Sequence, residues 1–330
     1  MVEMDAQAFF EAQKLGPDNL VQGAELQKIF WRYKALEQEL ARQKAFWKST
    51  NDTLSQAFLQ VREQEQRLAD TNRRLSQSYQ QLQALTNRLQ QELALARHIQ
   101  QSLLPPHRPS WSGPALYCQC IPAHEVGGDF YAYHPLDDQR FALAVGDVSD
   151  KGMSAALFMA ISLANFDSVL TPTLAPQEVL THLDRALIRY TEATRQNCAL
   201  CYVEIDGLTL HVANAGGIPP YIRRSDGQVE RLKVGGLPLG IELAAELGYQ
   251  VVTTTLAPQD VVILTSDGVV EATDSNRRMF GFAGLEQAIA AGPASDPKAM
   301  LDHLNAEIKA FVGDAEPRDD VTIVVLQPSG

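Results

Sequence analysis

Residues 141–152 read FALAVGDVSDKG, an alternating apolar run closed by a glycine and an aspartate. Such a run is a strand, and Asp147 stands at its end. Three further stretches share the arrangement. VVILTSDGVVEA (261–272) ends its strand on Asp267, whereas VGGDFYAYH (126–134) and RDDVTIVVL (318–326) open theirs on Asp129 and Asp319. Antiparallel neighbours place the end of one strand beside the start of the next, so the four carboxylates are expected on one rim. Crowded there, they repel each other and lose solvation, and they stay ionised only if cations hold them. With no sulfur or imidazole among them, the expected ions are hard and oxygen-seeking, Mg²⁺ or Mn²⁺. A pair of such ions can activate a water for in-line displacement at phosphorus, so metal-assisted phosphate hydrolysis is the first functional expectation.

Strands are expected at 115–122, 129–135, 140–146, 199–206, 208–214, 219–224, 249–256, 261–266 and 321–326, with turn signals such as Asp206-Gly207 and Asp226-Gly227 between some of them. The segment from Met153 to Leu170 is apolar nearly all round, and 176–193 and 296–311 are amphipathic helices. Strands adjacent in sequence, with helices between groups, imply antiparallel sheets covered by helices, an α+β architecture.

Helical patterning stops at Pro105-Pro106. Upstream, Val61, Leu68, Leu75, Leu82 and Leu89 recur every seven residues and continue through Ala96 to Leu103, the seam of a coiled coil. The companion positions Gln64, Thr71, Ser78, Leu85, Glu92 and Ile99 are mostly polar, which leaves the coil marginal and able to change register or dissociate. The domains are therefore expected as a helical region at 1–53, broken at Gly16-Pro17, a coiled-coil linker at 54–104, and a catalytic domain at 105–330.

The chain of 330 residues has 45% hydrophobic content, enough for a sizeable core. It shows no signal peptide and no apolar run of the ~20 residues needed to span a bilayer, so a cytoplasmic protein is expected. Its net charge of −12 is uneven: residues 1–104 carry 13 Lys and Arg against 12 Asp and Glu, leaving 15 against 28 downstream. So acidic a catalytic half would repel phosphate backbones, which argues against nucleic acid as partner. Cys118, Cys120, Cys198 and Cys201 lie in apolar strands, read as small buried hydrophobes rather than a zinc set. GGDF at 127–130 matches the four-letter signature of diguanylate cyclases, but those enzymes need most of their domain upstream, where this chain has its heptads.

The order GGDFY, GDVSDKGMSAALFMA, NAGGIPP, GGLPLGI, SDGVVEA with MFG behind it, and RDDVTIVVL resembles the SpoIIE/RsbU-type serine phosphatases of the metal-dependent type 2C (PPM) protein phosphatases. The resemblance runs from about Ala96 to Leu326 and includes the entry segment ARHIQQSLLP. It implies an α-β-β-α sandwich of two antiparallel sheets flanked by helices, holding two ions, Mn²⁺ or Mg²⁺. By the same resemblance Asp147 bridges the ions, the carbonyl of Val148 completes one coordination sphere, and Asp267 and Asp319 complete the sphere of the first ion. Asp129 acts directly or through waters, and Asp320 is the ambiguous neighbour of Asp319, since successive side chains on a strand point to opposite faces. The implied reaction is hydrolysis of phosphoserine by a two-metal-activated water. The implied substrate is a regulatory protein of the STAS-type anti-sigma-factor antagonist class. From the seam, which ends at Ile99 and Leu103 immediately before the prolines, control by an unknown upstream activator through a homodimeric coiled coil is expected. Two positions depart from the pattern: Asp150-Lys151 replaces a frequent Gly-His, and Gly217-Ile218 a frequent His-Asn. Lys151 is expected to attract the phosphate or to pair with Asp150. The alternative reading is a coiled-coil signalling scaffold with a catalytically weak phosphatase-like binding domain.

Overall fold

A computed structural model describes residues 20–294 and 296–329, so the expected break at Gly16-Pro17 lies outside the described residues. The chain divides into two units, Met1–Asn87 and Arg88–Gly330. Described residues of the first unit belong to helix α1 (Leu20–Leu103), which runs on without interruption into the second. Along it Val61, Leu68, Leu75, Leu82 and Leu89 are all at least half exposed in the single chain.

The second unit is a sandwich of two five-stranded antiparallel sheets. One contains β2 (Phe130–Pro135), β3 (Arg140–Val148), β4 (Cys198–Asp206), β5 (Thr209–Ala215) and β8 (Val251–Thr255), in the order β2-β3-β4-β5-β8. The other contains β1 (Ala115–Ile121), β6 (Tyr221–Arg223), β7 (Val229–Arg231), β9 (Val261–Thr265) and β10 (Val321–Gln327), in the order β1-β10-β9-β6-β7. Strand alternation builds the layers. Leu143 and Val145 of β3 meet Val324 and Leu326 of β10 between the sheets. Their neighbours Ala142 and Ala144 turn outward onto α2 (Met153–Val169) and α3 (Pro176–Thr194), while Ile323 and Val325 turn onto α6 (Gly281–Ala291) and α7 (Pro297–Val312). This is the α-β-β-α sandwich the resemblance implied.

Every expected strand is present within a few residues, whereas β7 was not foreseen, being only three residues long. Two short helices also escaped the sequence reading, α4 (Glu242–Leu247) and α5 (Asp267–Glu271), as did α6, whose sequence GFAGLEQAIAA carries two glycines. Beyond α1 the chain is fastened to the sandwich. Tyr131 and Tyr133 hydroxyls donate to the carbonyls of Pro105 and Pro106, both at 2.8 Å, and Leu104 packs against the core.

Candidate metal centre and active site

The four aspartates come from both sheets, two from each, rather than from the edge of one. Asp129 directly precedes β2 and Asp147 lies near the end of β3, where Phe130 pairs with Gly146. Asp267 follows β9 and Asp319 precedes β10, where Ile323 pairs with Thr265. A hydrogen bond joins the two halves of the rim: the Thr322 hydroxyl donates to Asp129 Oδ2 at 2.7 Å. Thr322 is itself fixed by Ser266, whose N–H donates to the Thr322 carbonyl and whose Oγ accepts from Thr322 N–H, each at 3.0 Å.

Charge crowding is severe. Burial, then the neighbouring Asp147 carboxylate, raises the pKa of Asp129 well above the ordinary carboxylate range. Burial, with Asp267 and Asp319 behind it, pushes Asp147 up to about 7, although a hydrogen bond with Asp129 works against the shift. Asp267 is also raised, by burial and then by Glu271 and Asp319. Three neighbouring carboxylates that resist ionisation call for positive charge. Their donor atoms are all oxygen, which suits a hard divalent ion. Among the described residues no group of three or more acidic, imidazole or thiol side chains is already converged on an ion-sized site. The chemistry of the donors fits a metal.

Asp319 and Asp320 part company. Asp319 Oδ2 accepts from Lys151 Nζ at 2.8 Å, and the same ammonium also donates to the Arg318 carbonyl. Lys151 therefore pairs with Asp319, not with Asp150. Asp320 turns inward, where Oδ1 accepts from Ala123 N–H at 2.8 Å and Oδ2 accepts from Gly128 N–H at 2.7 Å and Asp129 N–H at 3.4 Å. In this structure it fastens the loop that carries Asp129. Asp150 has φ 70°, a left-handed conformation that costs glycine little and that Asp tolerates better than most residues.

Two glycines are required by close approach, not by positive φ. A Cβ on Gly127 would overlap the Asp320 carboxylate, and one on Gly268 would overlap the Asp320 carbonyl. Gly128 brings its backbone near the carbonyl of Val148, the main-chain oxygen expected as a ligand. Backbone positions are further fixed by two side-chain amides the sequence reading did not single out. Gln100 bonds both polar atoms of Gly127, and Asn214 does the same for Gly217. Ser149 anchors the loop after Asp147, its Oγ accepting from Asn197 N–H at 2.9 Å. The four cysteines are unpaired. Cys198 and Cys201 sit in different core layers, as opposite faces of a strand require, while Cys120 is only partly buried.

Two stacked antiparallel sheets with helices outside make the fold of PP2C phosphatase domains, and here the two sheets share an acidic rim. Residues 137–329 match the family described as Stage II sporulation protein E (SpoIIE), and the chain belongs to that family. It is 27% identical over 257 residues to phosphoserine phosphatase RsbU of Bacillus subtilis (strain 168), a match spanning 76% of this chain and 74% of RsbU. Among solved structures it is similar to the SiaA-PP2C domain of Pseudomonas aeruginosa, with a TM-score of 0.63 at 23% identity over 74% of this chain and 98% of that one. The PP2C phosphatase domain and regulatory-domain fragment of SpoIIE from Bacillus subtilis gives 0.56 at 20% identity, over 65% of this chain and 63% of that one. At those identities the two structures speak to the fold. PP2C-type phosphatases are metal-dependent, in keeping with the acidic rim.

Proposed function

We propose that this protein removes phosphate from phosphoserine on a regulatory protein, an anti-sigma-factor antagonist of the STAS type, using two Mn²⁺ or Mg²⁺ ions. The observation that carries the reading is that Asp129, Asp147, Asp267 and Asp319 come from two sheets to one rim, where burial and their mutual charge raise the pKa of three of them. Asp147, Asp267 and Asp319 would hold the ions, with Asp129 acting directly or through water and the Val148 carbonyl adding a main-chain oxygen. When bound, the ions supply the Lewis acidity and the nucleophile-generating charge for in-line attack at phosphorus. Thr322 and Ser266 keep the two halves of the rim in register, and Asp320 with Gln100 keeps the Asp129 loop seated. Lys151 brings positive charge to the entrance and is available to a phosphate oxygen once ions satisfy Asp319.

The substrate class is supported by the likeness to RsbU, named a phosphoserine phosphatase. Control through a homodimer of α1 by an upstream activator is supported by the exposed heptad seam. Four unpaired thiols, and the lack of any helix among the described residues long and apolar enough to cross a membrane, are in keeping with a cytoplasmic setting. The test is turnover of p-nitrophenyl phosphate and of a phosphoserine peptide. Activity should vanish with EDTA, return with Mn²⁺, and fall at least about a hundredfold in Asp147→Asn. Turnover undiminished by EDTA would sink the metal reading.

A further inference from the structure

A cleft of about 490 Å³ is lined by Asp147 and Asp267 of the carboxylate rim together with an apolar wall of Ile218, Met279 and Phe282. Single exposed hydrophobes are ordinary on any protein surface. Here two large ones stand in the same cleft as the reacting groups, Met279 57% exposed and Phe282 43% exposed. Their placement is not a loose loop. Phe280 N–H donates to the Ala272 carbonyl at 2.8 Å, closing the 272–280 hairpin. Inside the turn the buried Asp274 accepts from Arg278 N–H at 2.8 Å and from Arg278 Nε at 2.7 Å. Phe282 is braced by Arg231, whose guanidinium carbon lies 4.7 Å from the ring centroid.

We infer that this wall seats the substrate chain beside the phosphoserine, and that the phosphatase selects substrates with an apolar side chain directly next to that residue. This rests on the phosphoserine phosphatase reading above. The occupant follows from continuity: a serine phosphate delivered to Asp147 and Asp267 brings its own neighbours into the same cleft. On one side those neighbours meet Ile218, Met279 and Phe282. An acidic neighbour would lose water against three apolar groups and face Glu271 in the same lining, whereas an aliphatic one is buried. Met279 adapts to the shape of its guest, and the Phe282 ring gives a fixed face.

The experiment compares phosphoserine peptides that carry Leu, Gly or Glu immediately before or immediately after the phosphoserine, with p-nitrophenyl phosphate alongside and Mn²⁺ present. For the wild type, kcat/KM for the Leu peptide should exceed that for the Glu peptide by at least about tenfold on one of the two sides. In Met279→Ala and Phe282→Ala the ratio should fall below about threefold, and in Phe282→Glu a Lys peptide should overtake the Leu peptide. Neither residue is buried, so the fold should persist, and an unchanged thermal midpoint would verify it. Hydrolysis of p-nitrophenyl phosphate together with equal use of Leu and Glu peptides on both sides overturns the groove assignment alone. A preference that survives both alanine variants overturns it too. No turnover of any substrate by the wild type overturns the phosphatase reading and the groove with it.

Discussion

Gln100 and Gly127 are joined by a reciprocal pair of hydrogen bonds, the Gln100 amide nitrogen donating to the Gly127 carbonyl at 2.6 Å and its oxygen accepting from Gly127 N–H at 3.1 Å. Gln100 lies in the last turn of α1, and Gly127 is two residues before Asp129. The next N–H, that of Gly128, donates to Asp320. One backbone segment is thus held between the end of the long helix and the residue after a proposed ligand. A displacement of α1 at its last turn would act on the loop that presents Asp129.

Gln100→Ala removes both bonds while leaving Asp129 and its own partners in place. Each neutral hydrogen bond contributes about 1 kcal/mol. If most of that holds the loop in its metal-ready position, the Mn²⁺ concentration for half-maximal activity should rise by about fivefold to thirtyfold, with kcat at saturating Mn²⁺ changed far less. Mn²⁺ titration of p-nitrophenyl phosphate hydrolysis, repeated by calorimetric Mn²⁺ binding, measures it. Unchanged metal affinity would mean that the pair only fastens the helix.

Asp319 and Asp320 should separate cleanly when each is replaced by asparagine. Asp319→Asn takes a carboxylate from the rim and should remove nearly all activity with little loss of stability. Asp320→Asn puts an NH₂ group against backbone donors at Ala123 or Gly128, since only one amide oxygen remains to accept. Leaving a buried donor unmatched costs about 1–3 kcal/mol. The thermal midpoint should therefore fall by about 3–10 °C for a domain of this size. Calorimetry beside a phosphatase assay decides the matter, and equal stability of the two variants would contradict the assignment of Asp320 to the loop.

The carboxylate rim makes stability depend on pH in a direction opposite to that of a salt-bridged protein. Asp147 is raised to about 7, chiefly by burial, so the folded metal-free protein holds a proton that the unfolded chain gives up at about 4. Between those values the folded state binds more protons, and stability falls as pH rises. In EDTA the thermal midpoint should decline from pH 5 to pH 8, and the stabilisation gained on adding Mn²⁺ should grow over the same interval. Thermal unfolding with and without Mn²⁺ at each pH measures both trends. A metal-free midpoint that rises through this window would remove the crowding argument.

The features legible in the sequence are those written in local pattern. Alternation marked the long strands, and an acidic residue at a strand junction marked each half of the rim. Contacts between distant segments left no such trace. Gln100 is one glutamine in a glutamine-rich helix, and nothing in ARHIQQSLLP distinguishes it from Gln101. Whether Asp319 or Asp320 faces outward depends on the approach of the 123–129 loop, which β-strand alternation alone does not specify. Lys151 was legible as an unusual residue, but its partner was not, because Asp319 lies 168 positions further along the chain. Short β7 and the glycine-bearing α6 failed for a different reason. Both are sustained by packing, β7 by its pairing with β6 and α6 by Leu285 and Ile289 in the outer core, rather than by propensity.

The heptad seam supplies the last expectation, a parallel homodimer through about 54–104 whose tightness sets catalytic rate. Val61, Leu68, Leu75, Leu82 and Leu89 lie exposed along one chain, and a second copy would bury them by knobs-into-holes packing. Polar companions at Gln64, Thr71 and Ser78 keep such a coil weak, so two charges within the seam should suffice to open it. Leu82→Lys with Leu89→Lys should give a monomer by light scattering coupled to size exclusion, and should shift phosphatase activity measured at the same protein concentration. Substitution of Gln80 or Gln90, away from the seam, should change neither. Because Gln100 and its two bonds to Gly127 are left intact in the double variant, a change in activity would have to come from the state of the helix pair itself. A fully monomeric double variant with unchanged activity over a range of protein and Mn²⁺ concentrations would reduce the seam to a passive stalk.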